Sequence, residues 1–444
     1  MRPTLWNPMT MLHLEPGVRS DRLPAPTDPR LEGVVERVLA GIRLSREDGL
    51  LLYETEDLHT VCALADLVRR RMHGDVAWYN VNRHINYSNI CALSCSFCAF
   101  HRKRGDEGSY EYSLDQIREE AAKASEAGAT ELHIVGGLHP WLPFDYYTTM
   151  LSTIRETAPE IHIKAFTAVE IVHLQKISKR GRLKYQGTLE VLRDLIDAGL
   201  GSLPGGGAEV FDDRVHAEAF KTKIRSDEWL DVHKAAHELG LNSNTTMLYG
   251  HVDQRPERIT HMEILRDQQD HTLRDWSEAQ GIATAGEPVV LSGPDERYSG
   301  HRLPMPGHDG LSTGYFQTII PLPFFPDKSA LEHLPGPSGL ENLRTLAISR
   351  LMLDNIPHVK AFWIMQTLDM AQFMLQNGAD DIDGTVVWYD ITHVEGASTH
   401  QETTVVDLQR AIREAGFEPR ERDTLYREVV RDGRSWRLAG TDDD

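Results

Sequence analysis

An α/β barrel of the (β/α)8 type is the fold class this sequence predicts, and three observations predict it. Eight short strand-like runs alternate with helical stretches through the middle of the 444 residues, a pattern that demands parallel pairing through right-handed crossovers. The residue clusters with unusual chemistry follow the C-terminal ends of these runs, the rim where barrels of this class gather their sites. The length suits one such barrel with additions at either end and forces no second core.

The elements follow in chain order. Residues 1–75 read as a helical cover, because Leu31, Val34, Val35, Val38, Leu39 and Ile42 recur at helical spacing. The barrel is expected over 76–390, with strands at Tyr79 to Tyr87, Glu131 to Val135, Ile161 to Thr167, Gly199 to Leu203, Asn242 to Leu248, Phe316 to Leu322, His358 to Ile364 and Asp380 to Val387. Pro, Gly and charge dominate residues 281–314, so this helix-to-strand connection reads as an irregular insertion on the face opposite the rim. Residues 391–444 read as an extension packed on the barrel, with a helix at Leu408 to Ala415 and an acidic tail, Asp442-Asp443-Asp444, expected to be disordered.

The formal charge of -20 argues against a nucleic-acid partner, whose phosphates such a surface repels. No basic-then-apolar leader and no apolar run of membrane length stands in the sequence, so the expectation is a soluble cytoplasmic protein. Four cysteines, three of them crowded together, do not make a secreted disulfide framework.

Those three, Cys91, Cys95 and Cys98, are spaced C-x3-C-x2-C directly after the first strand, while Cys62 lies in an apolar helical stretch as an ordinary buried thiol. Three thiolates are one fewer than the four that close a common iron-sulfur or structural zinc site. A 4Fe-4S cluster held this way leaves one iron open to chelate S-adenosylmethionine. A thioredoxin-like Cys95/Cys98 pair ignores Cys91, and zinc with His101 as fourth ligand lacks the usual second ligand pair.

The remaining rim motifs can serve such chemistry. Gly136 and Gly137 end the second strand, where missing Cβ atoms let a ligand approach the backbone. Glu170 follows the third strand and can accept from a ribose diol or an ammonium group. Gly205, Gly206 and Gly207, with Glu209 just beyond, follow the fourth and offer backbone N–H groups to an anion without the Lys-Ser/Thr of a P-loop. His84, His139 and His251 are candidates to move protons. Arg83 and Asn86 are candidates to recognise a substrate carboxylate, or to brace the cysteine loop.

With Phe97 just before the third cysteine, the cysteine run resembles that of the radical S-adenosylmethionine (SAM) superfamily. The resemblance assigns Cys91, Cys95 and Cys98 to a 4Fe-4S cluster and Phe97, Gly136, Gly137 and Glu170 to SAM. The stretches Tyr79–Cys91, His133–Pro140, His162–Ile171, Ser202–Phe211, Ser243–His251, Leu334–Pro337, Ser349–Pro357 and Gly378–Gly384 together resemble the aminodeoxyfutalosine synthases, over about Gly41 to Tyr426. The insertion departs from that family. The resemblance implies a transferase of the futalosine route to menaquinone that consumes SAM as co-substrate and adds the 5'-deoxyadenosyl radical to 3-[(1-carboxyvinyl)oxy]benzoate. Its expected products are 6-amino-6-deoxyfutalosine, methionine and bicarbonate. Expected partners are a one-electron reductant such as flavodoxin or ferredoxin and, as a candidate contact through the insertion, a second copy of the chain in a homodimer. Dehypoxanthine futalosine cyclase and the deazaflavin (FO) synthases share the cluster motif and stay open as relatives, as does a non-enzymatic electron carrier.

Overall fold

Parallel strands wound into a ring carry the molecule, described by a computed structural model over residues 23, 25–279, 289–292, 301–304, 314–386 and 402–440. The strands in chain order are β1 (Val76–Asn80), β2 (Asn82–Ile85), β3 (Glu131–Ile134), β4 (His162–Ala165), β5 (Ser202–Leu203), β6 (Asn242–Tyr249), β7 (Val289–Ser292), β8 (His301–Pro304), β9 (Phe316–Pro323), β10 (His358–Val359), β11 (Asp381–Gly384), β12 (Glu418–Glu421), β13 (Val429–Asp432) and β14 (Ser435–Leu438). A seven-stranded sheet runs β10-β9-β6-β5-β4-β3-β2, and a second runs β11-β1-β12.

Two junctions join these sheets into one ring. β2 continues β1 after a one-residue break at Val81. β11 bridges the gap on the other side, since Ala361 N–H donates to Asp381 O (2.8 Å) and Thr385 N–H to Asn80 O (3.2 Å). The eight expected strands fall on β1/β2, β3, β4, β5, β6, β9, β10 and β11, though the seventh, expected over His358 to Ile364, is strand only at His358–Val359 and gives way to a helix at Trp363–Gln366. The fold is α/β with a curled parallel sheet, N-terminal helices and a C-terminal extension.

Alternation along the strands separates two interiors. Leu132 and Ile134 of β3, Ile163 and Ala165 of β4, Ile319 of β9 and Val359 of β10 are fully buried among the apolar core residues. The alternate residues Glu131, His133 and Lys164 turn to the barrel axis with Asn244, Lys360 and Asp383, so the axis is polar and charged. Outside, Glu32–Ala40, Arg46–Glu54 and Leu58–His73 form the N-terminal cover. The second starts on a Ser45/Asp48 capping box, and the third lays Val61, Leu64, Ala65 and Val68 against Gly339–Met352.

The C-terminal extension does more than pack on the surface. The helix Val405–Glu414 leads into β12, which pairs in parallel with β1 from Val76↔Glu418 to Tyr79↔Glu421. The chain then stoppers the N-terminal mouth of the barrel. Arg422, fully buried, donates to Asp381 Oδ2 (2.7 Å), and Tyr426 OH donates to the same oxygen (2.6 Å). Inside 281–314 the short strands β7 and β8 pair in parallel, where an irregular path was expected. The rest of the insertion and the acidic tail lie outside the described residues. Among these residues no helix is long and apolar enough to cross a membrane.

Candidate active site

The cysteine loop leaves β2 and is held from three sides. Cys91 N–H donates to Arg102 O (3.0 Å), Ala92 N–H to Leu138 O (2.9 Å) and Ser96 N–H to Ala219 O (3.0 Å). Lys103 Nζ ties down the loop carbonyls of Cys91 (2.9 Å) and Leu93 (2.8 Å). Cys91, Cys95 and Cys98 are free thiols on the wall of one cavity of about 310 Å³. The backbone N–H groups of Leu93 and Leu138 each lie 3.4 Å from Cys91 Sγ, ready to stabilise a thiolate. Burial pushes the Cys95 thiol up to about 11, and ligation to a cation reverses that penalty.

The residues fit an iron-sulfur cluster better than a single metal ion. Among the described residues only His73, His358 and Asp380 bring three ligand atoms within 4.8 Å of one another. That trio is already bound internally, with Arg350 on Asp380 and the Pro357 carbonyl on His73. The three cysteine sulfurs do not form so tight a group. His101 Nδ1 bonds the Cys98 carbonyl (2.9 Å) instead of completing a zinc site. Cys62 is buried in the helix Leu58–His73, with its thiol pushed up to about 12.

Gly136 and Gly137 line the same cavity. A Cβ on Gly136 would stand 2.6 Å from the Tyr87 ring, and one on Gly137 would stand 2.4 Å from Ile90 O. The pair therefore packs directly on the cysteine loop, pinned by Gly137 N–H to Ser88 O (2.7 Å). Glu170 sits beneath, closing a capping box with Thr167 while accepting from Tyr87 OH (2.8 Å) and Gly136 N–H (3.0 Å). Burial raises its carboxyl to about 7, against the pull of these donors.

Gly205, Gly206 and Gly207 form the opposite wall. Gly205 has no room for a Cβ, which would lie 2.5 Å from the Thr245 backbone. Glu209 is paired with Lys223, a residue missed in the sequence, whose ammonium also lies 5.1 Å from the Phe97 ring centre. Burial alone would lower Lys223, but Glu209 and Cys95 outweigh it and keep it protonated. Phe97 packs edge-on against Phe220 and lines the cavity.

Several expected roles do not match the placement. His84 stacks on His133 (4.6 Å between centres), but His133, not His84, reaches the cavity wall. Burial holds His84 down at about 4, so it stays neutral. His139 is engaged by Glu111 on Nε2 (2.7 Å) and by Leu142 N–H on Nδ1 (3.1 Å). His251 Nε2 bonds the Leu248 carbonyl (3.0 Å). None of the three is among the residues that line the cavity. Arg83 and Asn86 do not line it either. Asn86 Nδ2 donates to Val135 O (2.9 Å), just beyond β3.

The sequence also missed the cavity floor. Lys164 donates to Glu131 (2.8 Å) and Lys360 to Asp383 (2.9 Å), all four side chains being buried. Burial disfavours charge on Glu131, but Lys164, Lys360 and Arg422 together hold its carboxyl well below the usual range. Between floor and cysteines the wall is apolar, with Leu248, Ile320, Leu322, Phe324, Phe362 and Met365.

Comparisons with known proteins agree with this geometry. Residues 85–262 match the model of the Radical SAM superfamily, and residues 312–432 match the CofH/MqnC C-terminal region. The chain is 40% identical to an aminodeoxyfutalosine synthase of Thermus thermophilus, over 90% of this chain and 96% of that one. It is 33% identical to a 5-amino-6-(D-ribitylamino)uracil–L-tyrosine 4-hydroxyphenyl transferase of Methanothermobacter thermautotrophicus, over 87% and 94%. The crystal structure of methylornithine synthase (PylB) superposes with a TM-score of 0.62 at 15% identity, covering 86% of this chain and 96% of that one, which speaks to the fold alone.

Proposed function

Because this chain belongs to the radical SAM superfamily, in the branch that carries the CofH/MqnC C-terminal region, we propose that it is an aminodeoxyfutalosine synthase. The observation that carries the reading is one cavity with three free cysteines and a Gly-Gly edge at its rim, and an apolar sleeve leading down to paired lysines. Cys91, Cys95 and Cys98 would hold a 4Fe-4S cluster, which when bound would supply the electron for reductive cleavage of SAM.

The chain's own residues then bind, orient and exclude. Gly136 and Gly137 present backbone to the methionine end of SAM, and Glu170 fixes that backbone through Gly136 N–H. Lys223 places a cation beside the cysteines for the SAM carboxylate, with Glu209 as its counter-ion. Phe97 and the glycines Gly205, Gly206 and Gly207 shape the nucleoside side of the cavity. The apolar sleeve keeps water and hydrogen donors from the radical and brings the vinyl carbon of 3-[(1-carboxyvinyl)oxy]benzoate to C5'. Radical addition, attack on the ring, migration of the ether, loss of the carboxyl group as carbon dioxide that water converts to bicarbonate, and return of the one electron would give 6-amino-6-deoxyfutalosine. A cytoplasmic flavodoxin or ferredoxin is the reductant in this reading.

The phenyl transferase relative supports a second reading, a hydrogen-abstracting enzyme of the deazaflavin type. Anaerobic reconstitution with SAM labelled in the ribose, followed by mass spectrometry, separates the two. Label bonded into an aminofutalosine-type product, with bicarbonate released, supports the synthase. Label found only in free 5'-deoxyadenosine, in the presence of the enol-ether benzoate, overturns it.

A further inference from the structure

We propose that Lys164 and Lys360 form a carboxylate dock at the floor of the cavity, and that this dock selects an aromatic acid as the second substrate. The inference rests on reading this cavity as the site of the radical reaction and adds where the acid group of the substrate sits.

Donor arithmetic carries it. An ammonium has three N–H donors. Each lysine gives one to its paired carboxylate, Lys164 to Glu131 (2.8 Å) and Lys360 to Asp383 (2.9 Å). Both are buried, at 2% and 4% exposure, and both line the cavity. Each ammonium keeps donors beyond the one given to its partner carboxylate, and an anion entering the cavity can accept from them more strongly than a neutral group. Glu131 and Asp383 are already spent on the lysines, and their presence keeps the empty floor close to neutral. A carboxylate set between the two cations meets donors from β4 and from the turn after β10, on different sides of the barrel.

The surroundings narrow the class further. Ile320, Leu322, Phe324, Phe362 and Met365 line the same cavity and offer apolar surface to an aromatic ring. A ring on that surface, with its acid on the lysines, turns its other edge toward the cysteines and the glycine edge. The zwitterion of a free amino acid fits less well, because its ammonium would meet Lys164 or Lys360, whose neighbouring carboxylates Glu131 and Asp383 are already paired. Anions of this type reach a chain of net charge -20 against the overall field, so the attraction has to be local and buried.

The test uses the cluster-loaded protein with SAM bound, and titrates 3-hydroxybenzoate against 3-hydroxybenzamide by calorimetry. The acid is expected to bind at least tenfold more tightly than the amide. The paired exchange Lys360→Gln with Asp383→Asn avoids stranding a buried charge, and should weaken the acid at least tenfold while leaving the amide within threefold. Lys164→Gln with Glu131→Gln is the second variant, should the first lose its cluster, and Lys360→Arg should restore part of the preference. Equal binding of acid and amide by the parent, or acid binding unchanged in a paired exchange that retains parental iron content, overturns the dock. Acid binding that responds as expected in an enzyme giving no product from the enol-ether benzoate supports the dock and overturns the substrate assignment instead.

Discussion

The cysteine loop and the cavity floor face each other across the same space, yet they are built in opposite ways. The loop is local. Eight consecutive residues supply all three sulfurs, while its braces at Leu138 and Ala219 come from distant parts of the chain. The floor is assembled from single residues on β3, on β4, after β10 and on β11, joined by ion pairs with Arg422 below. The contrast teaches that the chemistry common to the superfamily can sit on one short segment, while the groups that touch a particular substrate depend on the whole barrel closing correctly.

The largest effect that would test this contrast is loss of a loop ligand. Cys91→Ser, Cys95→Ser and Cys98→Ser should each abolish turnover and lower bound iron, with folding retained, while Cys62→Ser keeps most activity. Iron content, absorbance and product formation check this, and a fully active loop variant with parental iron would break the comparison. The floor should behave in the reverse manner, failing by unfolding. Arg422→Met leaves Asp381 buried without its guanidinium and should cost about 3–5 kcal/mol, read as a lower urea midpoint, whereas its three sulfurs stay in place locally.

Smaller effects sharpen where the two regions meet. Gly137→Ala drives a Cβ to within 2.4 Å of Ile90 O, so backbone has to move, at about 1–3 kcal/mol. SAM affinity should fall about tenfold or more while the aromatic acid still binds, as titration of each ligand would show. The mildest is a pH effect at Glu170. Its folded pKa is raised from 4.5 to about 7 by burial. The stability it contributes is therefore fully present below about pH 4.5 and is lost as pH rises through 7. Relative to Glu170→Gln, the parent should lose on the order of 3 kcal/mol between pH 4.5 and 8. Denaturation of both proteins across that range would expose a flat difference, which would remove the account of Glu170 as a carboxylate paying for its burial.

What the sequence disclosed follows the same division. The eight strands were legible because each is short, apolar on one face and separated by a helix, and the cysteines because their spacing is local. Lys164 and Lys360 were overlooked, although each is a lone charge within an apolar run and each opens the same tripeptide, Lys-Ala-Phe, at Lys164–Phe166 and Lys360–Phe362. That repetition was the available signal. For His84, His139 and His251, nearness to the rim along the chain does not say which way a ring faces. β12 was hidden by composition: Glu-Pro-Arg-Glu has no strand character, and pairing with β1 imposes the extended form on it.

That last strand has a bearing on how the protein is made. β1, among the first strands to leave the ribosome, receives β12 as a neighbour only after nearly all of the barrel has been translated. Until then its edge is open to other chains, and Asp381 has no Arg422 to neutralise it. The cysteine loop, emerging directly after β2, precedes almost everything that will shield it. Emergence of the cysteine loop and closure of the barrel are thus separated in time, and a chaperone that covers the young β1 edge is expected to raise the yield of folded protein more than one that acts on the finished chain.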